Sequence, residues 1–157
     1  MLTNLVIIAG TIAAIVAAVA SVRALFPKAK PGIADQKIII NLSDHGPYNA
    51  FIGSFIAVNG GPKLCSLQGV KVSMAGLTFE VDAIAERMVL EIQELGRRSG
   101  ELPMSITGYE QKTVSFRGTH NIRNKEALPQ TLNLEVKFNC ETIRQELARI
   151  GNTCDYE

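Results

Sequence analysis

The sequence contains no tryptophan, and its only tyrosines are Tyr48, Tyr109 and Tyr156. Aromatic surfaces on which nucleobases or sugars stack are therefore scarce. An excess of one charge is missing as well. Only Arg23 among the 16 Lys and Arg residues precedes residue 27, which leaves 15 of them against 15 Asp and Glu residues. A neutral domain without a basic stripe lacks the electrostatic footprint of nucleic-acid binding, so we expect no nucleic acid partner.

Motifs of enzymes and metal sites are missing too. The two histidines, His45 and His120, stand far apart without a neighbouring set of metal ligands. The sequence holds no HExxH, CxxC, EF-hand or GxSxG pattern. The glycine-rich run at residues 60–63 lacks the spacing of a phosphate-binding loop and is interpreted as a tight turn. We therefore predict a protein that is not an enzyme, with no catalytic residue, no cofactor and no metal ion.

Cysteine is rare, with Cys65, Cys140 and Cys154 the only three. An odd count at these spacings matches neither a disulfide framework nor a zinc site, and reduced thiols in a cytoplasmic domain account for it most simply. A disulfide between Cys140 and Cys154 stays open if the domain faces an oxidising compartment. A thiol nucleophile paired with a histidine is a further alternative, but we favour small buried hydrophobic side chains.

Charged side chains are absent from the first 22 residues, most of which are aliphatic. A bilayer core about 30 Å thick is spanned by about 20 apolar helical residues, so residues 1–26 are predicted to form a single transmembrane helix in the lipid bilayer of the cell membrane. Arg23, Lys28 and Lys30 follow the apolar stretch, and such residues favour the cytoplasmic side. The rest of the chain is therefore expected in the cytoplasm.

A cleaved signal peptide is the alternative interpretation of this segment. The triplet Ala18-Val19-Ala20 resembles a cleavage site, but no basic residue precedes the apolar stretch, so an uncleaved anchor fits better. Within the anchor, Gly10, Ala14 and Ala18 recur at four-residue spacing, as in membrane helices that pack closely. This face predicts self-association or docking onto another membrane protein, although an alanine-rich span also produces the spacing by chance.

The rest of the chain divides into a linker at residues 27–35, rich in proline and lysine, and one domain at residues 36–157. Residues 70–74 and 77–81 alternate in polarity on both sides of a two-residue turn, which predicts a β-hairpin. Further strands are predicted at residues 37–42, 50–58, 102–106, 113–116 and 132–138.

Two segments fit both helix and strand. The apolar residues of 83–98 fall on one helical face with Asp82 in a capping position, although the same run also alternates as in a strand. The tail at residues 143–150 suits a helix or the second strand of a hairpin. Taken with the strands, the pattern predicts a mainly β fold, an antiparallel β-sandwich with one or two short helices.

The stretch from Phe55 to Gly61, followed by Leu67 and Val70, resembles the Ig-like modules of many bacterial and archaeal proteins. In those modules a strand ends in Asn-x-Gly and a short loop leads to an alternating strand. Many of these prokaryotic proteins carry one N-terminal membrane helix followed by basic residues, as this chain does. The resemblance implies an Ig-like β-sandwich and a role in binding or assembly.

The resemblance covers residues 36–140 and includes two later strands. Leu102-Pro103 and the run at residues 114–116 lie where a Leu-Pro strand and a V-x-F strand are found in those modules. Two features depart from the pattern: Leu64 stands where proline is common, and the helix-like insert at 83–98 is not typical.

Three functions are compatible with the sequence. The leading prediction is a non-enzymatic, single-pass membrane protein whose Ig-like domain binds a protein partner or scaffolds a membrane assembly through the loops at residues 43–49, 59–66 and 118–130. The alternative is an exported or periplasmic module that binds a carbohydrate or cell-wall component, which requires the opposite topology and more aromatic residues than are present. An enzyme that uses a cysteine is the third.

Overall fold

The computed structural model of the chain describes residues 27–42, 49–74, 77–86 and 102–157. These residues form strands and one short 3₁₀ helix at Lys125–Ala127. The strands are β1 (Pro31–Ile40), β2 (Asn49–Asn59), β3 (Cys65–Met74), β4 (Leu77–Glu86), β5 (Met104–Ile106), β6 (Gln111–His120), β7 (Thr131–Phe138), β8 (Thr142–Ala148) and β9 (Asp155–Tyr156).

The strands are arranged in two antiparallel sheets, which confirms the predicted mainly β sandwich. One sheet has the order β4-β6-β2-β1-β9, and the other has the order β8-β7-β3, with β5 paired to the start of β3. Two strands show the regular alternation of a half-buried sheet: along β2 every second residue is buried, and along β7 the buried positions are all apolar. This two-sheet architecture is compatible with the Ig-like fold that the resemblance implies.

The two sheets are joined on both sides. The β3–β4 hairpin pairs only at Ser73↔Thr78 and Met74↔Leu77, after which β3 turns to β7 and β4 turns to β6. On the other side, β9 pairs with β1, and the amide of Ala148 at the end of β8 donates to the carbonyl of Glu157 at 3.0 Å. A short stretch of backbone pairing therefore connects the two sheets at each side of the sandwich.

An aromatic cluster fills the centre of the core. The rings of Phe51 and Phe79 meet edge to face at 5.5 Å, and Phe116 lies 6.3 Å from Phe51 and 6.0 Å from Phe55. Such pairs add about 0.5–1.5 kcal/mol each to the burial of apolar area. These rings come from β2, β4 and β6, which are neighbours in one sheet, so the cluster packs along the inner face of that sheet.

The hairpin at residues 70–81 and the strand at 132–138 are confirmed, and the tail forms the hairpin partner β8 rather than a helix. The four-residue spacing of Ile143 and Leu147 did not discriminate between the two, because residues four apart share a face in both structures. The predicted linker is shorter than expected, since residues 31–35 already belong to β1. The predicted loop at 118–130 is also shorter, because β6 extends to His120.

The sequence left residues 83–98 open between helix and strand, and the described part of this segment is a strand. Strand β4 continues to Glu86, so Asp82 caps no helix. A bulge between Val81 and Ala83 shifts the alternation, and both Ala83 and Ile84 are buried. The bulge therefore moves the apolar positions at the end of β4 off a strict period of two. Residues 87–98 lie outside the described part.

Among the described residues, no helix has the length and apolar character needed to cross a bilayer. The predicted anchor at residues 1–26, with its packing face of Gly10, Ala14 and Ala18, lies outside those residues.

Candidate functional site

The strands define two opposite ends of the sandwich. Pro31 pairs with Asn59 at one end, and Asn49 pairs with His120 at the other. We call the first end the proximal pole, because the chain enters the domain there. It consists of residues 27–30, 59–64, 107–110 and 139–141. The distal pole consists of residues 120–130 and 149–154. The eleven residues of β2 separate the two poles by roughly 35 Å at about 3.3 Å per residue.

Asn59 organises the proximal pole. Its side chain is fully buried, and its Oδ1 accepts from the amides of Lys30 at 3.2 Å and Gly61 at 3.1 Å. Its Nδ2 donates to the carbonyls of Lys63 at 2.6 Å, Thr107 at 3.1 Å and Ile106 at 3.3 Å. One side chain thus connects the incoming chain, the β2–β3 turn and the segment after β5.

Gly61 completes this arrangement by allowing a close approach of backbones. A Cβ at this position would overlap the carbonyl oxygen of Lys28 and the amide of Lys30. The amide of Gly60 donates to the carbonyl of Lys30 at 2.8 Å. The Asn59-Gly60-Gly61 run, which carries the resemblance to Ig-like modules, therefore holds the incoming chain against the domain.

Two cysteines meet at the same pole. Cys65 begins β3 and is buried, whereas Cys140 is exposed in the β7–β8 turn, and their Sγ atoms lie 3.7 Å apart. The neighbouring residues hold this geometry: the amide of Asn139 donates to the carbonyl of Ser66 at 2.9 Å, and the amide of Ser66 donates to Asn139 Oδ1 at 3.1 Å. Burial, with a smaller contribution from Cys140, raises the pKa of Cys65 to about 12.

Cys140 also lines a groove of about 380 Å³ at the surface of the proximal pole. The groove is lined by Lys28, Ala29, Lys63, Leu64, Cys140 and Glu141. Its charged residues include two lysines against one glutamate, so the groove favours an anionic group.

Cys154 is far from this pair. Its carbonyl accepts from the amide of Ile40 at 2.9 Å, which places it at the distal pole. The Cys140–Cys154 disulfide that the sequence left open would join opposite ends of the sandwich and does not fit the structure.

His120 organises the distal pole. The imidazole is buried, its Nδ1 accepts from the amide of Ile122 at 3.1 Å, and its Nε2 lies 3.2 Å from the carbonyl of Asn41. This pattern fixes the neutral ring with its proton on Nε2. Asn49 supports the same turn, since its Nδ2 donates to the carbonyl of Ile122. Burial lowers the pKa of His120 below its ordinary value, against smaller opposing contributions from backbone carbonyls.

The free energy of unfolding is expected to decrease as the pH falls below about 6.5, the ordinary pKa of histidine. Below that pH the unfolded chain binds a proton at His120 that the folded chain still excludes, and the state that binds more protons gains stability. Urea denaturation of wild type and His120→Gln at pH 5.5, 6.5 and 7.5 measures this. Equal pH dependence in both proteins would contradict the assignment.

Glu110 affects the free energy of unfolding in a separate pH range, below about pH 4.5. Hydrogen bonds from Thr107 lower the pKa of its carboxyl group in the folded protein, so stability is lost as this group is protonated.

A second groove lies at the distal pole. It has a volume of about 350 Å³ and is lined by Lys125, Glu126, Arg149 and Asn152. Asn124 caps the 3₁₀ helix beside it, accepting from the amide of Ala127 at 3.1 Å. Its lining is of mixed charge, with Lys125 and Arg149 beside Glu126.

The structure separates two of the three loops that the sequence grouped as one contact surface. Residues 59–66 lie at the proximal pole, whereas 121–130 lie at the distal pole, and residues 43–48 with His45 are outside the described part. The hydrogen-bonding role of Asn59 and the approach of Cys65 to Cys140 were both missed by sequence reasoning.

The functional groups that the described residues bring together at the two poles are hydrogen-bonding side chains, charged side chains and thiols. Within residues 27–42, 49–74, 77–86 and 102–157, no three His, Cys, Asp or Glu side chains form a group that could hold a metal ion. No family model matches the chain, and no curated protein matches its sequence.

Proposed function

We propose that the protein is a non-enzymatic, single-pass membrane protein that holds its proximal pole at the membrane and presents its distal pole to a protein partner. The observation that carries this proposal is the attachment of the incoming chain at one end of the sandwich. Lys30 is bonded to Asn59 through its amide and to Gly60 through its carbonyl. The four residues 27–30 extend at most about 14 Å, so an anchor ending at residue 26 keeps this pole beside the bilayer.

The surface of the proximal pole supports the same orientation. Leu64 is 55% exposed and Tyr109 is 75% exposed, and the amide of Tyr109 donates to the carbonyl of Gly61 in the same turn region. Lys28 and Lys63 line the neighbouring groove. Exposed tyrosine, leucine and lysine together suit the interface between lipid headgroups and water.

The distal pole is the surface that this orientation leaves for a partner. It lies roughly 35 Å from the membrane-facing end by the length of β2. Its exposed residues include Arg123, Lys125 and Glu126, and the last two line the groove together with Arg149. Irregular loops on a rigid sandwich often carry recognition. Charges of both signs on such loops can match complementary charges on a partner and so favour specific binding.

A single cysteine at Arg123, on a background of Cys65→Ala, Cys140→Ser and Cys154→Ser, tests both parts of the proposal. We expect a membrane-impermeant maleimide to label it only after intact cells are permeabilised, because the basic residues after the anchor favour a cytoplasmic domain. A photoactivatable maleimide at the same cysteine is expected to crosslink a discrete protein partner in membranes.

The matched control is Gln145→Cys in the same background, since Gln145 is exposed on β8 between the poles. It should label with the same sidedness and give no discrete crosslink. Labelling of the Arg123→Cys protein in intact cells would overturn the topology and favour the exported module. Crosslinks of equal strength at both positions would overturn the assignment of the distal pole as the contact surface.

A further inference from the structure

The Cys65–Cys140 pair is a chemically competent arrangement that the proposed function does not use. The Sγ atoms are 3.7 Å apart, and a disulfide needs about 2.05 Å. The two reciprocal bonds between Ser66 and Asn139 hold the adjacent backbones in place. Cys140 lies in an exposed turn outside β7 and β8, so its side chain can move toward Cys65 without breaking the pairing of the strands.

We propose that Cys65 and Cys140 form a reversible disulfide, made and broken by exchange with a small-molecule disulfide of the glutathione class. The pair is then a site of redox modification. Its disulfide links the start of β3 to the β7–β8 turn, which are 75 residues apart in the sequence. This proposal is independent of the partner at the distal pole.

The difference in exposure sets the order of the steps. Cys140 is exposed, so its thiolate attacks one sulfur of oxidised glutathione, the sulfur–sulfur bond breaks, and one glutathione leaves as a thiol. Cys65 then loses its proton and attacks Sγ of Cys140, and the second glutathione leaves as a thiol. Two electrons pass from the two cysteines to glutathione disulfide, and both protons end on the glutathione thiols.

The surroundings of Cys140 favour this co-reactant. Lys28 and Lys63 line the groove that Cys140 opens into, and glutathione disulfide is an anion at neutral pH. The second step is the slow one, because burial keeps Cys65 protonated at neutral pH and only the thiolate reacts. Its rate is expected to rise about tenfold for each pH unit between pH 7 and 9.

The bridge also stabilises the domain. Closing a loop of 75 residues removes chain entropy from the unfolded state. We expect the oxidised protein to melt roughly 10 °C above the reduced protein, with both measured in the same detergent. In a reducing cytoplasm the pair is reduced at rest, and it closes as the ratio of oxidised to reduced glutathione rises.

The test uses the full chain in lipid nanodiscs, equilibrated with glutathione buffers from fully reduced to fully oxidised, acid-quenched and alkylated. Trypsin places the three cysteines in separate peptides, at residues 64–71, 138–144 and 150–157. Mass spectrometry is expected to find the 64–71 and 138–144 peptides linked at oxidising ratios, while Cys154 stays unlinked.

Two variants make the result decisive. Cys154→Ser is expected to retain the link at the same glutathione ratio, and Cys140→Ser, a change at an exposed turn position, is expected to abolish both the link and the gain in melting temperature. The proposal is overturned if Cys65 and Cys140 are alkylated separately at every ratio, if Cys140 links to Cys154, or if glutathione accumulates on Cys140 without release by Cys65.

Discussion

Asn59→Ala is expected to lower the free energy of unfolding by about 3–5 kcal/mol. The substitution removes a buried side chain that accepts from two amides and donates to three carbonyls. Each lost bond contributes about 1 kcal/mol, and carbonyls left buried without a donor add a further penalty. Urea denaturation of the full chain in mild detergent, followed by circular dichroism, gives the difference.

Two further variants separate the causes. Asn133→Ala, at an exposed asparagine of β7, is the matched control and should change stability by less than about 0.5 kcal/mol. Asn59→Asp keeps the acceptor oxygen but directs a carboxylate at carbonyl oxygens. We expect it to destabilise the protein at least as much as alanine at pH 7. A loss below about 1 kcal/mol in both Asn59 variants would contradict the hydrogen-bonding role.

The same substitution reports on how the domain is attached. Lys30 is bound to Asn59 and Gly60, so the segment before β1 is held against the proximal pole. Without the Asn59 side chain, cleavage by trypsin after Lys28 should become several-fold faster under native conditions, because local opening exposes the segment. Cleavage at unchanged rate, together with a large loss of stability, would show that the incoming chain is held by other contacts.

The fold was predictable from local patterns wherever a strand is regular. The alternation at 132–138 and at 70–81 places apolar side chains on one face, and both segments are strands with that face in the core. Alternation does not predict the end of β4, because the bulge between Val81 and Ala83 adds one residue and moves every later side chain to the other face of the strand.

The candidate sites were less predictable because they depend on register between distant strands. Cys65 and Cys140 are 75 residues apart, and they meet only because β3 and β7 pair at Leu67↔Phe138. The Asn-x-Gly run was recognised as a turn, but the bonds of Asn59 to residues 30 and 107 arise from tertiary contacts. A local sequence pattern predicts a turn, but it does not predict which distant segments a buried amide side chain will hydrogen-bond to.

Gly118→Ala is expected to lower the free energy of unfolding by about 3 kcal/mol or more. Gly118 lies in β6 between β2 and β4, and a Cβ there would overlap the carbonyl oxygen of Glu80 and the ring of Phe51. The ring can rotate, but the carbonyl belongs to the backbone of β4. Relief therefore requires the β4–β6 pairing to open, and the aromatic core is attached to both strands.

Alanine substitutions at two other glycines are expected to give smaller losses of stability, or none, and serve as controls for Gly118→Ala. At Gly53 the atoms nearest to an added Cβ belong to the ring of Phe116, so Gly53→Ala should cost less than Gly118→Ala, because a side chain shifts more readily than a strand. At Gly69 nothing lies within 4 Å, and Gly69→Ala should be neutral or stabilising by about 0.4–1 kcal/mol through the unfolded state. Melting temperatures of the three variants should rank Gly69→Ala highest and Gly118→Ala lowest. If Gly118→Ala melted within 2 °C of wild type, as about 0.5 kcal/mol would allow, β4 and β6 would not pair in the register described here.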